Sequence, residues 1–250
     1  VPIIQHPDVC RMLLEMKCRI DAMRALSLYT AAAEDRAIHH VEEEDRLRNQ
    51  NLVDVLIPIV KGWSSELGND VAGRALQVLG GMGFIEEAGA AQHYRDARVT
   101  TIYEGTTGIQ AADLVRRKLL GDGGGLIRDA ISTIQVDVAS VSLNDGKEIT
   151  EICTAMREAL SRLEAATEWI LESATRDPRL PFAASFHYLM LWGAVAGGWQ
   201  MARESAREKR VRIEAAARVG RTCGINMDIN CGTESESLRN GVRWQAATAP

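Results

Sequence analysis

The chain has 250 residues, 46% of them apolar and 25% charged, the proportions of a folded globular protein rather than a disordered one. Lys and Arg number 29 against 34 Asp and Glu, a net charge of −5, so no global basic field exists to hold nucleic acid. No apolar stretch reaches the roughly eighteen residues a membrane span needs, and the N-terminus carries no charged-then-apolar signal sequence. In the first segment Val9, Leu13, Met16, Ile20 and Met23 recur at three- and four-residue intervals. That spacing lines one face of a helix running from about residue 7 into the low thirties. Pro7 suits its first turn and Asp8 the positive end of its dipole. The charge-crowded stretch from Glu34 to Gln50 reads as a solvated connection.

A second helix carries Leu52, Val55, Leu56, Ile59, Trp63 and Leu67 on one side, with Ala75, Leu76 and Leu79 further on. Pro58 interrupts it and Gly80-Gly81 ends it, since glycine accepts the left-handed conformation at a helix end. A short helix over about 87–97 follows, then a break at Val99–Gly105. Thr107 and Gln110 fit a capping box for the next helix. Asp113 early, Arg116, Arg117 and Lys118 late, and Gly121 at the end agree with its dipole.

Gly121-Asp122-Gly123-Gly124-Gly125 is the most glycine-rich stretch and the expected domain boundary. Beyond it, Leu126 to Val141 predicts a helix ended by Asn144-Asp145-Gly146. Ile149 to Ala174 predicts a long amphipathic helix, broken by Asp177-Pro178-Arg179-Leu180-Pro181. Phe182 to Ala202 predicts the last, with Trp169, Trp192 and Trp199 expected in the core. Strand signals are nearly absent. The fold class is all-α, as two packed helical bundles of about four and three helices. From about Ala216 the apolar spacing disappears, and a poorly ordered tail is expected.

The five cysteines are odd in number and spread without a C-x-x-C. They read as reduced thiols of a cytoplasmic protein, not as a disulfide frame or a zinc site. His39-His40 beside Glu42–Asp45 reads as solvated charge; no metal is expected. Val1 in place of Met points to a processed or excised chain.

Two stretches go beyond helix packing. Gln77-Val78-Leu79-Gly80-Gly81-Met82-Gly83-Phe84 places three glycines at a helix end. It serves either as a plain helix stop or as a place where a large ligand approaches exposed backbone N–H groups. It lacks the Gly-Lys-Ser/Thr of a P-loop and follows no strand, so it is not a Rossmann glycine run either. Tyr103-Glu104-Gly105-Thr106-Thr107 sets a carboxylate in a tight turn before a helix. There Glu104 is either stabilised by the helix dipole or poised as a general base.

The run from Gln77 to Phe84, through Tyr94-Arg95-Asp96-Ala97-Arg98, to Ile102-Tyr103-Glu104-Gly105-Thr106 and Ile109-Gln110 closely resembles the C-terminal region of the acyl-CoA dehydrogenases. His6-Pro7-Asp8-Val9 and Arg11-Met12-Leu13-Leu14 look like the larger subgroup, which carries an extra C-terminal helical domain and includes broad-specificity bacterial and 3-methylmercaptopropionyl-CoA dehydrogenases. The resemblance implies an all-α acyl-CoA dehydrogenase C-terminal-type four-helix bundle over 1–121 and a smaller helical accessory domain over 122–215; it does not extend over the atypical tail, 216–250.

The resemblance also implies roles. Glu104 matches the base that removes the α-proton of an acyl thioester while a hydride leaves the β-carbon for FAD. Its backbone N–H would bind the thioester carbonyl. Gly105 and Tyr103 would lie against substrate. Thr106 and Gln110 would contact FAD, and Gln77, Val78, Leu79, Gly80 and Gly81 would reach the FAD of the neighbouring subunit in a homodimer. An electron-transfer flavoprotein would accept the electrons. Position 108 is Gly, where many members carry Glu or Asn. The family's N-terminal helical and flavin-cradling β-domains do not fit ahead of His6, so the isolated chain is expected to bind FAD weakly. The competing expectation is a non-catalytic helical oligomerisation module.

Overall fold

The computed structural model describes residues 1–142 and 146–222, with side chains through 141 and over 147–207. It is built of helices, with no strand among the described residues. Helix α1 (Pro7–His39) and α2 (Glu43–Leu79) form a long hairpin. Only His40–Glu42 link them, so most of the charged stretch expected as a connection is helical. The dipoles explain this: Arg36 and His39 sit at the negative end of α1, and Glu43, Glu44 and Asp45 at the positive end of α2. α2 runs on through Pro58, which is buried. Arg74 of α2 meets Glu15 of α1 at 2.6 Å, and Arg19 of α1 pairs with Asp70 of α2.

A one-turn helix α3 (Gly81–Phe84) precedes α4 (Ala90–Val99) and α5 (Thr107–Asp113). α5 continues as a π-helical turn, Leu114–Leu119, that buries Lys118 against Asp54 of α2 at 3.1 Å. Past Gly123 and Gly124, both at positive φ, come α6 (Gly125–Ser142), α7 (Gly146–Arg176) and α8 (Leu180–Thr222). The expected stop at Asn144-Asp145 and the expected tail beyond Thr222 lie outside the described residues.

Over residues 1–207 a single apolar core joins Leu26, Leu56 and Trp63 to Leu114, Ile134, Leu163 and Trp192. Full burial of each such side chain contributes roughly 1.5–3 kcal/mol before the entropy of ordering it. Trp192 and Trp199 are fully buried as expected, but Trp169 is 45% exposed. It belongs to the outer face of α7, where one aromatic fits the helical spacing without reaching the core. Trp199 packs edge-on against Tyr29 of α1 and donates its indole N–H to Asp137 of α6 at 3.1 Å. Among the described residues one segment, Leu180–Arg207, is long and apolar enough to cross a membrane, contrary to the sequence expectation; half of its apolar window is buried inside the bundle.

Candidate functional site

The break between α4 and α5 is a closed loop. The N–H groups of Ile102 and Tyr103 both donate to the Val99 carbonyl, at 2.9 and 3.0 Å, and the Thr107 N–H reaches back to the Thr101 carbonyl at 3.1 Å. Thr101 and Thr107 are buried feet; Ile102, Tyr103 and Glu104 form an exposed crest. Two successive residues at the crest have positive φ, Glu104 at 53° and Gly105 at 91°. Among the described residues Glu104 is the only non-glycine with positive φ. An L-residue pays roughly 1–2 kcal/mol there, and such a conformation persists where its surroundings over-determine it.

The left-handed pair also sets where α5 begins. Thr106 is the first extended residue after it, and its hydroxyl accepts the Ile109 N–H at 3.3 Å. The cap is therefore Thr106, one residue earlier than the expected Thr107. Thr107 instead donates its hydroxyl to Glu66 Oε1 at 2.7 Å. Three α2 side chains that sequence reasoning missed hold this region. Glu66 takes Thr107, Asn69 donates to the Ala97 carbonyl at 3.0 Å, and Lys61 donates to the Thr100 carbonyl at 2.7 Å. Lys61, Ser65-Glu66 and Asn69 stand at helical spacing on one side of α2 just past the apolar run of Leu52 to Val60, which was the available signal.

The carboxylate of Glu104 makes no hydrogen bond or ion pair among the described residues, nor do the N–H groups of Glu104 and Gly105. Gly105 needs its glycine for conformation; the amide nitrogen of Gln110 lies 2.7 Å from where its Cβ would stand. Glu104, Tyr103, Gly105, Thr106 and Gln110 thus come together. Gln110 also packs on Gly62 of α2. Gln77, Val78, Leu79, Gly80 and Gly81 lie at the C-terminal end of α2, about 17 to 22 Å beyond Glu66 and Gly62 at 1.5 Å per residue. All but Val78 are exposed. A cavity of about 560 Å³, lined by residues including Arg11, Glu66, Arg74 and Arg98, does not include Glu104. The described residues do not by themselves wall in Glu104.

Residues 1–119 match the acyl-CoA dehydrogenase C-terminal domain, and residues 127–217 match the family described as acetyl-CoA dehydrogenase C-terminal like. The chain belongs to the acyl-CoA dehydrogenase family. Among its acyl-CoA dehydrogenase relatives, the 3-methylmercaptopropionyl-CoA dehydrogenase of Ruegeria pomeroyi is 44% identical over 201 residues, 80% of this chain and 34% of that protein. The broad-specificity linear acyl-CoA dehydrogenase FadE5 of Mycobacterium tuberculosis is 34% identical over 213 residues, 82% of this chain and 34% of that one. The structure of Caenorhabditis elegans ACDH-11 in complex with C11-CoA shares the fold, with a TM-score of 0.65 at 17% identity over 81% of this chain and 34% of that chain. The chain spans about a third of the length of these two curated relatives. Their C-terminal helical portion is what it represents, and the oligomerisation-module alternative is not favoured.

Proposed function

We propose that this chain supplies the catalytic base and part of the FAD site of an enzyme that dehydrogenates an acyl-CoA thioester between its α and β carbons. The observation that carries the reading is the crest at Glu104: a free carboxylate beside a free backbone N–H, on a loop closed at its base and tied to α2. Glu104 takes the α-proton, and its N–H donates to the thioester oxygen as enolate character develops. Tyr103 and Gly105 border the acyl group. When bound, FAD supplies the acceptor for the hydride that leaves the β-carbon.

The residues fit that cofactor. Gly81 has ordinary φ and open space about its α-carbon, so neither conformation nor packing in this chain asks for glycine there, and the bare backbone leaves room for close approach by a flat or phosphorylated ligand. The Thr106 hydroxyl keeps a free proton to donate, and the Gln110 amide is only half-buried. The separation along α2 supports assigning Thr106 and Gln110 to one FAD and Gln77–Gly81 to the FAD of a second subunit, in a homodimer. An electron-transfer flavoprotein then reoxidises the flavin, in the cytoplasm. Residues 1–121 form the catalytic bundle and 122–215 the accessory domain, a division supported by the two family matches that flank the glycine stretch.

In the full-length enzyme, Glu104→Gln keeps its FAD and loses at least about a thousandfold in kcat, measured by dye reduction with acyl-CoA. Unchanged turnover removes Glu104 from this role.

A further inference from the structure

We propose that Lys61 is a positioning residue for Glu104, gripping the loop at two points upstream of its turn; this rests on the reading of Glu104 as the base. Lys61 is half-buried on α2. Its ammonium donates to the Thr100 carbonyl at 2.7 Å, where the loop leaves α4, and lies 4.6 Å from the centre of the Tyr103 ring, one residue before Glu104. Among the described residues it pairs with no carboxylate. A half-buried lysine without an acid partner has its charge compensated by what it does touch, here one carbonyl and one ring face.

The loop has need of such a grip. Glu104 at φ 53° holds that conformation only while both flanks are fixed. Thr107 on Glu66 fixes the downstream flank, and Lys61 fixes the upstream one. Lys61 itself stands on a closely packed turn of α2. Next to it, Gly62 lies against Leu189, and the Trp63 ring fills the space over Gly193 and Gly197 of α8. The accessory helix thereby backs the turn that steers the base.

The test uses the full-length, FAD-loaded enzyme with butyryl-CoA or palmitoyl-CoA, whichever the unaltered enzyme oxidises faster, and the same substrate deuterated at the α-carbon. Lys61→Met is expected to lower kcat per bound flavin by about 10- to 100-fold, the scale of a misplaced catalytic group. KM stays within about twofold and the α-deuterium isotope effect rises, because proton removal becomes slower relative to the other steps. Lys61→Arg restores most of kcat, since a guanidinium both donates to a carbonyl and stacks on a ring. An unchanged kcat in Lys61→Met overturns the proposal, as does a loss with an unchanged isotope effect, which marks a smaller active fraction. If Lys61→Met does not load with flavin, Lys61→Arg decides alone: kcat must stay within about threefold of the unaltered enzyme. Glu104→Gln run in parallel separates the failures, because full turnover in that variant sinks the base itself, whereas a dead Glu104→Gln beside an active Lys61→Met sinks only Lys61.

Discussion

Helix α2 meets glycines at two places, for opposite reasons. Against its middle, α8 presents Gly193 and Gly197 to the Trp63 ring. A Cβ on Gly193 would stand 2.0 Å from Trp63 Cγ, and one on Gly197 2.5 Å from Cη2. Those two are glycine because no room exists for anything else. At the C-terminal end of α2, Gly80 has nothing near its α-carbon but sits at φ 60°, ψ −141°, a region that side chains avoid. It is glycine for the turn. Gly81, one residue on, satisfies neither condition. The contrast separates glycines that the fold requires from one that it does not.

The largest expected effect belongs to the packed end. Gly193→Ala should cost more than about 3 kcal/mol, since the added methyl meets the root of a buried indole rather than the tip of a flexible chain. Urea unfolding of the variant, with the double variant Gly193→Ala/Trp63→Leu recovering part of the loss, checks it. A loss below about 1 kcal/mol means that α8 and α2 are not held by this contact.

The next effect lies in the same interior. The Tyr188 hydroxyl is buried between α7 and α8 and donates to Thr167 Oγ1 at 2.8 Å, while Thr167 donates to the Leu163 carbonyl. Burial pushes its pKa up to about 12, against about 10 in an unfolded chain. The unfolded state therefore loses this proton first. Stability that is intact below pH 10 falls as pH rises towards 12, by about 2–3 kcal/mol for this one group. Tyr188→Phe costs about 1 kcal/mol at neutral pH and flattens that alkaline slope. An equally steep slope in the variant assigns it to other groups.

The same division explains what could be read in the sequence. The apolar spacing of Leu52, Leu56, Ile59 and Trp63, or of Leu160, Leu163 and Ile170, gives each helix a buried face, and such faces are visible in one dimension. The extent of α1 and α2 was missed because Arg36, His39, Glu43 and Glu44 look like loop residues when counted as charge. Their order, basic before acidic, is the signature of one helix ending and another starting. Glu104 and the glycines could be located by resemblance, but not their supports. Lys61, Glu66 and Asn69 act on residues 28 to 41 positions away, and Gly193 faces a ring 130 positions before it in the chain. Such pairings exist only once the helices pack. The cap moved one residue earlier because the positive φ of Glu104, an uncommon choice for a glutamate, with that of Gly105 completes the turn by residue 105 and leaves Thr106 extended.

The smallest effects are at the far end of α2, and there the comparison is sharpest. Gly80→Ala should cost about 1–3 kcal/mol for its backbone conformation alone, whether or not any ligand binds. Gly81→Ala should leave unfolding within about 0.5 kcal/mol of the unaltered protein, because its backbone is ordinary and its surroundings are open. If the stretch meets a flavin from a second subunit, that harmless methyl nevertheless stands where the cofactor must come close. The full-length Gly81→Ala enzyme should then lose FAD on dilution faster than the unaltered enzyme, while unfolding at the same urea concentration once stripped. A Gly81→Ala enzyme that holds FAD as well as the unaltered one removes the ligand argument for this glycine. It would leave Glu104, on its separate loop, to stand on its own test.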